Sequence, residues 1–211
     1  MIEFGLFVLS GGNMGQNQSR KISAEKMKEY IRNSDIDFSE SEIDRMFVIY
    51  KENCRHGKHL KLNDFKRIYR EAFLGDSSEF AKHIFRVFDE DDSETIDFGE
   101  FLIGFSMVSN LGLEKKLDWI FKVYDINDDG KISQDEMNTI LNCVKQMTEL
   151  ASSSNEDPNT PKKLAMKIFQ KVDTNNDGMI SRDEFRDGIM NDRTIRRLIM
   201  SIDPTRGTGD F

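Results

Sequence analysis

The chain has 211 residues, carries 38 acidic against 30 strongly basic side chains for a net charge of −8, and is 37% hydrophobic. The acidic balance disfavours nucleic-acid binding, which requires a clustered basic face, and no apolar run approaches the roughly 20 residues of a membrane-spanning helix. Only two cysteines are present, Cys54 and Cys143, so a disulfide framework is excluded and a reducing compartment is expected.

The first 38 residues divide into an extension, residues 1–13, and a basic segment, residues 14–38. The letters MGQNQS from Met14 match the N-myristoylation pattern and would place the acyl chain on Gly15 if translation starts at Met14. Four basic side chains against two acidic ones follow between residues 20 and 29. They would supply the second membrane signal that a single acyl chain requires.

Two alternatives bear on this N-terminal region. The basic segment is also compatible with an ordinary amphipathic helix whose charges face solvent. A signal peptide is disfavoured for residues 1–13, because they have no basic start and too short an apolar core. We interpret residues 1–13 as a variant or mistaken start that lies outside the core.

Between residues 39 and 190 the sequence repeats a helix, a twelve-residue loop and a second helix. In an EF-hand, oxygens at loop positions 1, 3, 5, 9 and 12 surround a calcium ion, position 7 adds its backbone carbonyl, and glycine at position 6 permits the turn. We predict an all-α fold of four EF-hand units in two pairs, residues 39–110 and 111–190, with short β contacts between paired loops. A short helix and a flexible tail are expected over residues 191–211.

The first unit keeps the scaffold of an EF-hand without its ligands. Its first helix is predicted from a capping box and an apolar stripe, formed by Ser39, Glu42, Ile43, Met46, Phe47 and Tyr50. The loop from Asn53 has no acid before Asp64, so we predict that it binds no calcium. A zinc cluster of Cys54, His56 and His59 is disfavoured because a fourth ligand is lacking and the neighbours are basic.

The second unit has the loop oxygens but lacks the glycine. Its predicted ligands are Asp89, Asp91, Ser93, Thr95 and Glu100. Position 6 is Glu94, for which the left-handed backbone costs roughly 1 kcal/mol, and the serine at position 5 is a neutral ligand. We expect weaker calcium binding than at the later loops, and a purely structural loop is the alternative.

The third and fourth units match the whole pattern. The predicted ligands of the third are Asp125, Asn127, Asp129, Lys131 and Glu136, and those of the fourth are Asp173, Asn175, Asp177, Met179 and Glu184. Gly130 and Gly178 occupy position 6, while Ile132 and Ile180 at position 8 are predicted to pair the two loops. Position 7 is expected to contribute only its carbonyl, so its side chain is free to vary.

Capping signals and a linker complete the second half. Each position-12 glutamate follows a serine at position 9, and this spacing is that of a capping box. Such boxes alone would not require the acids at positions 1 and 5. A polar linker over residues 152–157 separates the last two units, and the final unit restarts with Thr160 as N-cap and Pro161 at the first helical position.

From Met14 to about Ile199 the chain resembles the neuronal calcium sensor family. The resemblance is carried by MGQNQS, FKRIY from residue 65, the loop from Phe88 to Phe101, KLDWIFKVYDINDDG from residue 116, and NTPKK before the fourth unit. It departs from the family pattern at Arg55, where proline is usual, at Met46, where tryptophan is usual, and at Glu94.

The resemblance implies a calcium sensor that opens an apolar groove, regulates a target protein and uses a calcium-myristoyl membrane switch. Two or three Ca²⁺ ions are expected, with Mg²⁺ a candidate in the calcium-free state. The implied partners are a helix of a channel, receptor, kinase or cyclase and an anionic membrane surface, and the implied location is cytoplasmic with reversible membrane association. A calcium buffer and a constitutive calcium-dependent subunit are the alternatives. No catalytic motif supports an enzyme.

Overall fold

The computed structural model describes residues 38–73, 75–109, 113–148 and 160–199. Within these ranges the chain forms nine helices and four short strands. The helices are α1 Glu40–Asn53, α2 Leu62–Ala72, α3 Ser78–Phe88, α4 Phe98–Ser109, α5 Leu113–Tyr124, α6 Gln134–Thr148, α7 Pro161–Val172, α8 Arg182–Asn191 and α9 Arg193–Ile199. The strands are β1 Leu60–Lys61, β2 Thr95–Ile96, β3 Lys131–Ser133 and β4 Met179–Ser181.

Eight of these helices form four helix–loop–helix units, which we call hands 1 to 4. In each hand a short strand lies at the end of the loop, and the strands pair antiparallel as β1 with β2 and β3 with β4. Leu60 opposes Ile96, and Ile132 opposes Ile180; none of these four side chains is exposed. The predicted all-α fold and the pairing of loops through position 8 are confirmed.

The helices begin where their capping residues predict. In hand 1 the Ser39 N–H donates to Glu42 Oε2 over 2.8 Å, and the capping box is present at the start of α1. At α7 the Lys163 N–H donates to Thr160 Oγ1, with proline at the first helical position. These side chains satisfy N–H groups that have no partner inside the helix.

Aromatic rings fill the first pair of hands. The rings of Phe47 and Phe98 meet edge to face with centroids 4.9 Å apart, and the Tyr50 hydroxyl donates to the Ile96 carbonyl over 2.9 Å. This buried bond joins the first helix of hand 1 to the strand of hand 2. Hand 1 is therefore a structural partner of hand 2 whether or not its loop holds an ion.

The two pairs of hands contact each other through α3, which packs against α5 and α6. Hydrogen bonds among the described residues also join the two pairs. The Gly75 N–H donates to the Met147 carbonyl over 3.0 Å, and Arg86 Nη2 donates to the Lys122 carbonyl over 2.6 Å. The second bond places a guanidinium at the C-terminal end of α5, where carbonyl groups lack helical partners.

Candidate calcium sites

The loops of hands 2, 3 and 4 make the same turn. In each, the backbone N–H at position 6 donates to the position-1 carboxylate over 3.0 Å, from Glu94 to Asp89, Gly130 to Asp125 and Gly178 to Asp173. The backbone at position 6 is left-handed in all three, with φ of 61° at Glu94, 82° at Gly130 and 80° at Gly178. Hand 2 thus forms the turn with a side chain at position 6, and Glu94 has the left-handed backbone from which the strain is predicted.

The position-12 glutamate presents both oxygens to the interior of each loop. One oxygen accepts the N–H of the residue after position 1 over 3.0 Å, in Glu100, Glu136 and Glu184 alike. The other accepts the position-9 N–H over 2.7 to 3.0 Å. Because the loop itself orients the carboxylate, a bidentate ligand is already positioned.

Two observations fit these loops to a hard cation. Asp173 Oδ1 is buried and has no hydrogen-bond partner among the described residues, and such an atom favours a positive charge beside it. In hand 2, ligand atoms of Asp89, Asp91 and Glu100 lie within 4.8 Å of one another. The donors are oxygen atoms, the ligand type that Ca²⁺ and Mg²⁺ prefer.

Hand 2 is not deficient in negative charge. Ser93 replaces an aspartate at position 5, but Asp91 at position 3 replaces the asparagine of hands 3 and 4, so each loop has three carboxylates at positions 1, 3, 5 and 12. The charge argument for weaker binding therefore fails, and the cost at Glu94 remains. The Ser93 hydroxyl also donates to the Thr95 carbonyl over 2.9 Å, a bond between two predicted ligand oxygens.

The carboxylates differ in how strongly the protein supports their charge. Burial raises the pKa of Asp89 and that of Glu100 in hand 2, and burial likewise raises the pKa of Asp125 in hand 3. In hand 4 burial acts in the same direction on Glu184, but hydrogen bonds from Ser181 and Thr174 outweigh it and lower the pKa to about 2. Glu184 is therefore ionised over a wider pH range than Glu100, its counterpart in hand 2.

The loop of hand 1 is held by its own basic side chains. Arg67 Nη2 donates to Asn53 Oδ1, at position 1, over 2.7 Å. His56 Nδ1 lies 2.6 Å from Asp64 Oδ1, at position 12, and Asp64 is completely buried. The oxygens that would hold an ion are thus bonded within the loop and to α2. With its oxygens bonded in this way, the loop is still predicted to bind no calcium.

The ligand atoms of the disfavoured zinc cluster in hand 1 do not converge in this structure. Among the residues that the structure describes, the hand-2 carboxylates are the one group of three or more His, Cys, Asp or Glu side chains whose ligand atoms converge. Cys54 is a partly exposed free thiol. The side chains of His56 and His59 therefore do not share a site with it.

At position 7 of hand 3 the Lys131 side chain has a contact that was not predicted. Its Nζ lies 3.1 Å from Oδ2 of Asp177, the position-5 residue of hand 4. Sequence reasoning also missed Arg86 and Arg67, whose partners lie 36 and 14 residues away. No local spacing signals such contacts, since they depend on how the hands pack.

Comparison with known proteins places the chain in a family. Residues 114–190 match the family model described as an EF-hand domain pair. The chain is 30% identical to visinin of Gallus gallus over 189 residues, 88% of this chain and 97% of that protein. It is 36% identical to neuronal calcium sensor 1 of Lymnaea stagnalis over 167 residues, 79% of this chain and 87% of that one. The chain belongs to the neuronal calcium sensor family.

A third member, recoverin of Homo sapiens, is 32% identical over 189 residues, 88% of this chain and 93% of recoverin. Membership in the neuronal calcium sensor family and the EF-hand pair indicate that the protein binds Ca²⁺ and takes part in calcium sensing. None of the helices in the described ranges is long and apolar enough to cross a membrane. Gly15, the basic segment, the linker at residues 152–157 and the tail after Ile199 lie outside the described residues.

Proposed function

We propose that hands 2, 3 and 4 hold calcium through side-chain oxygens at positions 1, 3, 5 and 12 and the carbonyl at position 7. The observation that carries this proposal is the position-12 glutamate, whose two oxygens the loop orients in all three hands. The residues are Asp89, Asp91, Ser93, Thr95, Glu100, Asp125, Asn127, Asp129, Lys131, Glu136, Asp173, Asn175, Asp177, Met179 and Glu184.

The protein acts as a sensor by exposing apolar surface that this conformation covers. Among the described residues the large apolar side chains are buried or partly buried, apart from Met166 and Met190, which are each 46% exposed. Bound Ca²⁺ supplies positive charge inside each loop, which offsets the repulsion among its carboxylates. The helices of a hand then part, and their facing apolar side chains become a groove for the helix of a target protein.

In hands 2 and 4 the two helices pass close to each other, and this closeness supports a hand that has a closed and an open arrangement. A methyl group added at Gly104 would overlap the ring of Phe88, and one at Gly188 would lie 2.7 Å from Val172. Phe88 and Val172 are the last residues before the loops of hands 2 and 4. The two helices of each hand therefore touch just outside the loop, so a change in loop shape alters this contact directly.

A dye that fluoresces on apolar surface tests the sensor against a buffer. We expect a calcium-dependent rise in dye signal that Glu136→Gln and Glu184→Gln together suppress. Calcium binding without a dye response would identify a buffer and contradict the sensor proposal.

The membrane part of the proposed function rests on Gly15 and the basic segment. We infer that the myristoylated chain attaches reversibly to anionic membranes from the cytoplasm when calcium is bound. Sedimentation with anionic liposomes, with calcium or chelator, tests this on protein that starts at Met14 and is co-expressed with an N-myristoyltransferase. Protein that starts at Met1 is the control. Pelleting of the acylated form only with calcium is expected, and pelleting that ignores calcium would contradict the switch.

A further inference from the structure

Lys131 of hand 3 contacts hand 4, whereas the equivalent residue of hand 4 is Met179, which has no charge. In the β3–β4 sheet Ile132 opposes Ile180, Lys131 opposes Ser181 and Ser133 opposes Met179. This register relates the two loops by a local two-fold axis that exchanges Lys131 with Met179. The same axis exchanges Asp177 with Asp129.

The two related positions differ in charge. Lys131 Nζ lies 3.1 Å from Asp177 Oδ2, and the other oxygen of Asp177 accepts the Met179 N–H over 2.9 Å. In hand 3 the corresponding oxygens of Asp129 accept the Lys131 N–H and the Asn127 side-chain amide, both over 2.9 Å. Met179 carries no charge. Within the described ranges, only the predicted position-5 ligand of hand 4 is therefore paired with an ammonium from the other loop.

We propose that the Lys131 ammonium competes with the calcium ion of hand 4 for the Asp177 carboxylate, and thereby makes hand 3 fill before hand 4. This inference rests on the proposed calcium sites. While hand 4 is empty, the ammonium neutralises one of its three ligand carboxylates. To hold an ion, Asp177 must exchange this partner, whereas Asp129 of hand 3 has no lysine to release.

The effect has a defined size and salt dependence. The Lys131 and Asp177 side chains are 48% and 39% exposed, and exposed ion pairs are worth up to about 1 kcal/mol, or about fivefold in an equilibrium constant. We therefore expect hand 4 to gain about two- to fivefold in calcium affinity when the ammonium is removed. The gain should shrink in about 1 M salt, where screening acts over roughly 3 Å.

The position-6 glycines allow each site to be followed separately. The Gly130 N–H donates to the position-1 carboxylate of hand 3 and the Gly178 N–H to that of hand 4, so their amide NMR signals report the two loops during a calcium titration. Lys131→Met and Lys131→Gln should each shift the Gly178 midpoint to lower calcium. The backbone carbonyl of residue 131 is retained in both variants.

The matched control moves the charge to the other loop. Met179→Lys should raise the calcium needed for the Gly130 midpoint, and the exchange Lys131→Met with Met179→Lys should invert the order of filling. A second measurement uses protein treated with chelator, so that no metal is present. In this protein the NMR signal of the Asp177 carboxyl carbon should change in both Lys131 variants.

Two outcomes would overturn the inference and are distinguishable. If both loops of the unsubstituted protein respond to calcium but neither Lys131 variant moves the Gly178 midpoint, the competition is absent and the calcium sites stand. If the Gly178 signal does not respond to calcium in the unsubstituted protein, the proposed hand-4 site and the inference fail together.

Discussion

Hands 2 and 4 make the same turn from different residues. In both, the position-6 N–H reaches the position-1 carboxylate over 3.0 Å, and the position-12 glutamate is held by two backbone N–H groups. Hand 4 makes the turn with Gly178 and hand 2 with Glu94, at φ of 80° and 61°. The turn is thus set by hydrogen bonds to carboxylates, and glycine lowers its cost without being required for it.

The two hands differ in how readily they exchange their internal bonds for an ion. In hand 4 an Asp173 oxygen has no partner among the described residues. In hand 2 the Ser93 hydroxyl donates to the Thr95 carbonyl, and the Ser93 backbone N–H donates to Asp89 Oδ1. Burial also raises the pKa values of Asp89 and Glu100, while that of Glu184 is lowered to about 2. The comparison favours hand 4 as the stronger site, apart from the competition by Lys131.

The largest expected effect comes from removing the charge of the position-12 ligand. Glu136→Gln and Glu184→Gln should each weaken calcium binding at their own site by at least about tenfold, because affinity depends on the charge of the ligand set. Glu100→Gln should cause a smaller loss, since hand 2 is expected to bind more weakly from the start. Calorimetric titration of the three variants measures the ranking, and a larger loss for Glu100→Gln would reverse it.

Giving hand 2 an aspartate at position 5 should strengthen it. Ser93→Asp adds a fourth ligand carboxylate and removes the bond to the Thr95 carbonyl, so we expect a gain on the order of tenfold. Ser93→Asn is the matched control without charge. Both are titrated in protein that also carries Glu136→Gln and Glu184→Gln, which leaves hand 2 as the responding site. Equal affinities in the aspartate and asparagine variants would contradict the role of charge.

Relieving the backbone at position 6 should have a smaller effect. The turn is already left-handed at Glu94 in this structure, and a bound ion would hold the loop in that turn. A Cβ atom at residue 94 therefore costs affinity to the extent that the ion-free loop also adopts other backbone conformations. Glu94→Gly should bind calcium up to about fivefold more tightly than Glu94→Ala, a difference of about 1 kcal/mol. Both variants lose the same charge, and their comparison in the same hand-2 background isolates the strain. No difference between them would show that the empty loop bears the strain as well.

The smallest expected effect is on the acid sensitivity of the calcium-free protein. The folded-state pKa of Glu184 is about 2 against an ordinary 4.5, so this carboxylate stabilises the fold above pH 4.5, and the contribution is lost as pH falls towards 2. Urea unfolding in chelator at pH 5 and pH 3 should show a smaller loss of stability for Glu184→Gln than for the unsubstituted protein. A loss of equal size would contradict the lowered pKa.

For Glu100 the sign of the pH dependence is reversed. Burial raises its pKa above 4.5, so its ionised form opposes folding at neutral pH, and this cost is relieved as pH falls through the raised value. The change in unfolding free energy that Glu100→Gln causes in the calcium-free protein should therefore be more stabilising at pH 7 than at pH 3. Urea unfolding in chelator at pH 7 and pH 3 tests this opposite sign.

Most of the fold could be predicted from short-range patterns. The apolar stripe Leu117, Ile120, Phe121 and Tyr124 is fully or almost fully buried on α5, as its helical spacing requires. The strand pairing of Ile132 with Ile180 follows from their shared loop position. By contrast, Ser93 alone is a poor guide to the charge of the hand-2 ligand set, because Asp91 supplies the carboxylate that position 5 lacks.

The spacing of residues along the chain was enough to predict the four hands and to identify the candidate ligands, because a calcium loop takes its oxygens from twelve consecutive residues. Which basic side chains meet those oxygens depends on the tertiary fold. Arg67 reaches Asn53 from the following helix, and Lys131 reaches Asp177 across 46 residues of chain. Such pairs form because packed helices and paired strands bring distant loops together. The spacing of residues along the chain does not predict these contacts.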